Sequence, residues 1–375
     1  MKKAVEVILI LLYFLEGAND QSGITLALLL LLLAAPFIGT YHKIRLPDYF
    51  LLAAMVYAFY LALGLYHQHP AAHIDIKFQF FQFIFFLALV NQRVKIDFLG
   101  LLLKINLIVF IIYLILLLDL FPNPWHEHTF GRQGRVLGPN IICIALILFY
   151  YLYKGRPFDR RLVWALSYAT VYLLLTSNFT NIAIVLSLVV LIVVNFKNLF
   201  RPVYIFTLIA FIVLGILYLR SPWVPDMVAT KLEYAMKPWE YGSIQTRIQD
   251  LQQALGNENF GWFEKIFGEG FGTGSKIYRE NKISPSLSRT LAFQEIDNGF
   301  YYLYHRGGWS LLSIFIISHI YLMFKIKGVK AKLGFVAIVF ITNILSIHYF
   351  NYYFYLLIPF FIIYRESISE SLNRI

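Results

Sequence analysis

The sequence predicts an all-α integral membrane protein, a bundle of about twelve membrane-spanning helices with one large loop on the outer side. Of its 375 residues, 59% are hydrophobic and only 14% are charged, and the mean hydropathy is +0.66. In a soluble domain about a quarter of the residues are charged. The core of one soluble domain cannot bury this many apolar side chains. A bilayer is therefore the expected solvent, and residues 1–375 are expected to form a single integral membrane domain.

Apolar runs divide the chain into candidate spans. A helix needs about 20 residues to cross the hydrocarbon core of a bilayer. Residues 162–196 carry no charge, but one helix of that length would measure about 52 Å, so the polar segment around Asn178 is expected to split it in two. The uncharged run 333–364 is expected to break near Asn351. The resulting candidates are residues 4–18, 23–40, 48–66, 78–92, 98–120, 136–153, 162–177, 180–196, 202–219, 298–324, 334–348 and 352–364.

The distribution of basic residues predicts the orientation of the chain. With the N-terminus inside and the spans alternating, the inside segments hold eighteen Lys and Arg residues, whereas the short outside loops hold only Lys77, Arg132 and Arg135. Cytoplasmic loops of membrane proteins carry such an excess. Both termini are therefore expected to be cytoplasmic. The net charge of +11 is explained by this topology rather than by a nucleic-acid partner.

One long segment, residues 220–297, is expected to form a loop on the outer side, where long translocated segments are exempt from the charge rule. Apolar residues recur within it at helical spacing, at Ile244, Ile248, Leu251 and Leu255. This pattern predicts a short amphipathic helix that lies on the membrane or caps the bundle.

Three arginines are candidates for binding an anionic group on the outer side. Arg132 and Arg135 lie at i, i+3 on the outer edge of a span, where positive charge runs against the topological bias. Arg247 lies in the amphipathic segment. Arginine stays charged and binds phosphate oxygens bidentately. The alternative for the first two residues is anchoring to lipid headgroups, and the alternative for Arg247 is a solvated or interfacial charge.

A carboxylate lies at the point where the outer loop enters a span. Asp297, Tyr301 and His305 follow i, i+4, i+8 spacing and so share one face of a helix. A carboxylate at a membrane boundary is costly unless it is paired or hydrated. Asp297 could therefore serve as a general base or as the partner of an arginine. The competing interpretation makes it the N-cap of the span, without a role in chemistry.

Several motifs of nucleotide-binding proteins, serine hydrolases and metal sites are absent from the sequence. The sequence contains no Walker A motif, no Gly-x-Ser-x-Gly element and no His/Cys spacing typical of a metal site. The single cysteine, Cys143, lies in an apolar run and is interpreted as a packing residue. We therefore expect neither a metal nor a cofactor.

The order of these elements resembles the O-antigen polymerase and O-antigen ligase superfamily, bacterial envelope enzymes with many spans and a large periplasmic loop late in the chain. Arg135, Gly138 and Asn140 resemble the Arg-x-x-Gly-x-Asn element that precedes a middle span in the family. Asn178 lies in a segment similar to a Thr/Ser-rich hairpin that often carries an arginine in the family. At this position the chain departs from the family pattern.

Two further motifs of the outer loop carry the resemblance. Arg247, its helix and the glycine-rich residues 267–272 look like the family's arginine, helix and Gly-x-Gly stretch. Asp297 and Asn298, followed by Gly307 and Gly308, resemble the family's His-Asn element. Ligases typically have His at the first position, so Asp297 favours a polymerase.

The resemblance implies an enzyme of the bacterial inner membrane that acts on undecaprenyl-diphosphate-linked glycans at the periplasmic face. A sugar hydroxyl of one repeat unit would attack the anomeric carbon of the growing chain, and polyprenyl diphosphate would leave. Membrane lipids are implied as surroundings, and a chain-length regulator protein as a partner. The catalytic residues expected from the motifs are Asp297, Arg247 and Arg135. The expected substrate-binding residues are Arg132, Asn140, Asn178, Asn298, Tyr301 and His305.

Three other functions remain open at this point. A ligase would use the same donor with lipid A-core as acceptor. A lipid-linked oligosaccharide flippase also has about twelve spans, but its loops are typically short, unlike residues 220–297. A transporter of small solutes would show paired broken helices, a pattern that we do not find in the sequence.

Overall fold

The structure is a computed structural model of the chain. It describes residues 2–16, 48–69, 97–118, 138–176, 179–194, 242–257, 260–279, 289–293 and 296–345, and also 29–30, 32–34, 72–73, 75–77, 80, 84 and 120. This part of the chain is mostly helical. The helices are α1 (Lys2–Glu16), α2 (Asp48–Tyr66), α3 (Phe98–Leu117), α4 (Cys143–Lys154), α5 (Arg160–Thr176), α6 (Phe179–Val193), α7 (Gly242–Asn257), α8 (Trp262–Phe267), α9 (Gly299–Lys325) and α10 (Val329–Leu345). Two strands, β1 (Ser275–Arg279) and β2 (Arg289–Phe293), lie between α8 and α9.

Two of these helices, α3 and α9, are long and apolar enough to cross a membrane by length and composition. Shorter apolar helical stretches cover Ala54–Tyr66, Cys143–Lys154 and Thr180–Val193. The number of twelve spans stays a prediction. The candidate spans at 202–219 and 352–364 lie outside the described residues, and those at 23–40 and 78–92 lie mostly outside them.

The uncharged run 162–196 forms two helices, as the sequence predicts. Helix α5 ends at Thr176 and α6 begins at Phe179. Both pack around α4, on which Cys143 is fully buried. A helix that is apolar on all sides belongs in a core, and the interpretation of Cys143 as a packing residue is confirmed.

One polar side chain inside this core, that of Asn106, is hydrogen-bonded on both its amide nitrogen and its amide oxygen. The fully buried Asn106 of α3 donates from its amide to the carbonyl of Ala165 at 3.2 Å, and its Oδ1 accepts from the Tyr172 hydroxyl at 2.6 Å. On the outside of α3, Lys104 forms an ion pair with Glu6 of α1 at 2.5 Å. Such partners offset the cost of removing polar groups from water.

The segment that is predicted to form the outer loop contains the predicted amphipathic helix, α7, but also a pair of strands that the all-α prediction missed. Strands β1 and β2 pair antiparallel, with Ile277 opposite Leu291. Side-chain amides of α7 bond the backbone of β1: Gln253 accepts from Tyr278 at 2.9 Å, and Asn257 donates to Lys276 at 3.0 Å. The helix therefore covers an edge of the hairpin, where unpaired backbone groups would otherwise remain.

The buried side of α7 differs from the one expected. Ala254 is buried and Leu251 is partly buried against Ile277 of β1, whereas Ile248 and Leu255 are exposed. Only part of the apolar stripe is thus covered by the described residues.

Candidate functional site

The first candidate site lies where α7 meets the start of α9. The Nε atom of Arg247 donates to Oδ2 of Asp297 at 2.9 Å, and the two side chains are 29% and 47% exposed. Ile296, next to Asp297, and Tyr301 pack with Ala254 in one small buried cluster. That cluster fixes the position of α7 relative to α9 and brings together two charges that are 50 residues apart in sequence.

This pair decides between two interpretations of Asp297. Asn298, not Asp297, is the N-cap of α9: its Oδ1 accepts from the amide of Tyr301 at 2.9 Å. The Nδ2 group of Asn298 donates to the carbonyl of Ile344 at 3.3 Å. The interpretation of Asp297 as an N-cap is therefore wrong, and its interpretation as the partner of an arginine is confirmed.

Tyr301 and His305 share one face of α9, as their spacing predicts. Their rings stack with centroids 5.3 Å apart, and Phe260 stacks on His305 at 5.6 Å. The Tyr301 hydroxyl is within 2.8 Å of Oγ of Ser275 on β1. Both residues are buried, so in this structure they pack inside the protein and do not line an open surface.

The remaining predicted residues divide into one that is described and three that are not. Asn140 precedes α4, where its Oδ1 accepts from the amide of Ile142 at 3.1 Å and its carbonyl accepts from the Tyr13 hydroxyl at 2.8 Å. These hydrogen bonds fix the backbone that leads into the first turn of α4. The positions of Arg132, Arg135 and Asn178 lie outside the described residues, so the convergence of the first two with Arg247 stays a prediction.

A second charged site was not predicted from the sequence. Arg306 of α9 donates from Nε to Oδ2 of Asp75 at 2.6 Å, and each side chain is only 3% exposed. The Tyr302 hydroxyl donates to Oδ1 of Asp75 at 2.8 Å and the amide of Gly272 donates to Oδ2 at 2.7 Å. The guanidinium carbon lies 3.6 Å from the centroid of the Tyr302 ring. The buried charges are therefore paired and hydrogen-bonded, as burial requires.

A signal for this second site was present in the sequence. Arg306 falls inside the predicted span 298–324, and an ionisable residue within a span needs a partner. The sequence does not identify Asp75 as the partner of Arg306, because the two residues are 231 positions apart.

The glycine-rich segment after α8 packs on a kink in α9. At the kink Gly308 has φ 56°, and a Cβ there would lie 2.4 Å from backbone atoms of Ile266. Just before it, the carbonyls of His305 and Arg306 accept from the amides of Glu269 at 3.3 Å and Gly270 at 2.9 Å. A helix kink frees backbone groups that must be satisfied elsewhere, and here the amides of Glu269 and Gly270 satisfy them.

The Arg247–Asp297 pair has the composition needed to handle an anionic leaving group. The Nε group of Arg247 donates to Asp297. The two terminal amino groups of Arg247 carry further N–H donors, of the kind that bind phosphate oxygens. Between these two described residues the bond is made to Oδ2 of Asp297, and a carboxylate has a second oxygen, here Oδ1, that is also an acceptor. Asp75 and Arg306 are too deeply buried in this structure to reach a ligand, so they hold the scaffold.

The chain matches no protein-family model, no curated protein and no solved structure.

Proposed function

We propose that this chain is a metal-independent glycosyltransferase of a bacterial inner membrane that polymerises polyprenyl-diphosphate-linked oligosaccharide repeat units on the periplasmic face. In this proposal the chain has twelve spans with both termini in the cytoplasm. The observation that carries the proposal is the ion pair between Arg247 and Asp297. It joins the arginine and the carboxylate of the two outer-loop motifs that resemble those of polysaccharide polymerases.

The proposed reaction needs positioning, stabilisation of the diphosphate and removal of one proton. The acceptor hydroxyl forms a bond to the anomeric carbon of the donor while the bond from that carbon to the diphosphate oxygen breaks. Arg247 stabilises the charge that develops on the diphosphate, together with Arg135 and Arg132. The proton of the hydroxyl passes to Oδ1 of Asp297.

In this proposal the ion pair positions both the base and the leaving group. The hydrogen bond from Arg247 to Oδ2 of Asp297 fixes the position of the carboxylate just before the first residue of α9. When a diphosphate binds the terminal amino groups of Arg247, the same guanidinium positions the leaving group and the base. One arginine would thus set the distance between the two groups that the reaction requires.

Deletion of the gene followed by lipopolysaccharide electrophoresis tests the proposal. A strain without a polymerase accumulates core plus one repeat unit, and the wild-type gene should restore the ladder of longer chains. A ligase would instead leave bare core, with polymer still on the carrier, and a normal ladder in the deletion strain would refute both enzymes. Bare core without carrier-linked polymer would favour the flippase.

Variants of Arg247 sharpen the test. Arg247→Ala should fail to restore the ladder, and Arg247→Lys should restore it poorly because an ammonium lacks the planar fork of a guanidinium. The matched control is Lys276→Ala, which removes an exposed cation on β1 of the same loop and should restore the ladder fully. Equal ladders from Arg247→Ala and Lys276→Ala, at equal protein levels, would remove Arg247 from the mechanism.

A further inference from the structure

Helix α8 exposes an apolar face that no described residue covers. Trp262 is 74% exposed, and Phe263 and Ile266 on the same short helix are also exposed. Large apolar side chains that are exposed side by side are typical of surfaces that contact a protein or a membrane.

The position of α8 along its neighbours indicates what covers this face. The ring of Phe267 meets that of Phe59 on α2 edge to face, with centroids 5.9 Å apart, and the backbone of Ile266 lies against Gly308 on α9. Phe59 comes eleven residues after the start of α2, or about 16 Å along the helix. Gly308 comes seventeen residues before Lys325 at the end of α9, or about 26 Å.

Under the proposed topology these two helix ends are the cytoplasmic ones, and the hydrocarbon core is about 30 Å thick. Helix α8 then lies beside the outer half of that core, between its middle, at the level of Phe59, and its outer boundary, at the level of Gly308. Tryptophan and phenylalanine are the side chains that favour this depth.

The exposed face of α8 also continues an apolar surface of the bundle. Leu52, Met55 and Phe59 form an exposed stripe on α2 at i, i+3, i+7 spacing, and Phe59 of this stripe contacts Phe267. On the α9 side, Trp309 is exposed one residue beyond the kink. The two helices that flank α8 thus present apolar side chains to the same surroundings.

We propose that α8 is an interfacial helix whose Trp262, Phe263 and Ile266 side chains are covered by the acyl chains of outer-leaflet lipids. The helix would anchor the glycine-rich segment that follows it, and with it the loop that carries Arg247, at the depth where the diphosphate of a lipid carrier lies. This inference rests on the membrane topology of the proposed function, but it requires no enzymatic activity.

Fluorescence quenching by brominated lipids tests the inference in the full-length protein. A variant that retains Trp262 as its one tryptophan, with the other five of six replaced by Phe, is reconstituted in nanodiscs. The lipid is phosphatidylcholine brominated either near the headgroup end or near the methyl end of its acyl chains. A variant with Trp309 alone is the lipid-facing control. A tryptophan-free background with Tyr278→Trp, on the exposed side of β1, is the aqueous control.

We expect Trp262 to be quenched about as strongly as Trp309 and several-fold more than the Tyr278→Trp probe, with the greater effect from bromine near the headgroup. If lipid bromine quenches Trp309 but not Trp262, and aqueous iodide quenches Trp262 as fully as the aqueous control, the inference fails and the topology stands. If neither tryptophan responds to lipid, the topology of the proposed function fails as well. Should the multiple Trp→Phe variants not fold, the difference in quenching between the wild-type protein and Trp262→Phe gives the same comparison.

Discussion

Removal of one partner from the buried ion pair between Asp75 and Arg306 is expected to destabilise the protein severely. The variant Arg306→Met leaves a carboxylate that is 3% exposed with only the Tyr302 hydroxyl and the Gly272 amide as hydrogen-bond donors among the contacts described above. Breaking such a pair costs about 3–5 kcal/mol. Most proteins have a free energy of unfolding of only about 5–15 kcal/mol, so the loss is a large share of the total.

A double variant separates the charge effect from the loss of packing. Asp75→Asn removes the negative charge but keeps an oxygen that can accept from Tyr302 or Gly272. In combination with Arg306→Met it leaves no buried charge at this site. We expect the double variant to recover about 1–3 kcal/mol relative to Arg306→Met alone, a coupling typical of residues in direct contact.

The single cysteine provides the assay. Cys143 is fully buried on α4, so a thiol-reactive fluorogenic dye reports thermal unfolding in detergent without any added label. The expected order of unfolding temperatures is wild type, then the double variant, then Arg306→Met, with the control Lys276→Ala equal to wild type. Unfolding of Arg306→Met at the wild-type temperature, or a double variant no more stable than Arg306→Met, would refute the reasoning.

Three other outcomes are expected. Asp297→Asn should lower the polymerisation rate by about 10²–10⁴-fold but change the free energy of unfolding by less than about 1 kcal/mol, because the pair with Arg247 is exposed; unchanged polymer yield would exclude Asp297 as the base. Gly308→Ala should lower the unfolding temperature more than Gly155→Ala: φ is positive at both sites, but a Cβ meets backbone within 2.4 Å only at Gly308 and meets nothing within 4 Å at Gly155. For Asp159, burial raises the pKa, but hydrogen bonds from the Tyr151 hydroxyl and backbone amides outweigh it and the pKa falls below its usual value of 3.8. Its contribution to stability is therefore full above that value and is lost as the pH falls through the lower folded-state pKa, so Asp159→Asn should flatten this part of a thermal-stability profile against pH.

Local patterns in the sequence predict most of the described helices, because apolar runs and their polar breaks are local signals. The division of the run 162–196 and the helix that carries Arg247 both follow from spacing within a few turns. The hairpin of β1 and β2 was missed because each strand has only five residues. Its backbone is bonded by side chains of α7, a contact that no local pattern reveals.

The two charged pairs differ in how far the sequence could predict them. The motifs single out Arg247 and Asp297 separately, and the structure joins them. The pair of Asp75 and Arg306 depends on the insertion of the glycine-rich segment against the kink at Gly308. That arrangement is tertiary, since the amide of Gly272 and the hydroxyl of Tyr302 come from different elements.

The measurement that tests the central claim most directly is polymerisation by the purified protein in proteoliposomes. The substrate is a polyprenyl-diphosphate-linked repeat unit, supplied without nucleotide and with a chelator of divalent metals. We expect a ladder of longer lipid-linked glycans and one released polyprenyl diphosphate per bond formed, with the ladder lost in Arg247→Ala and kept in Lys276→Ala. Unchanged substrate with folded wild-type protein, or an equal ladder from Arg247→Ala, would contradict it.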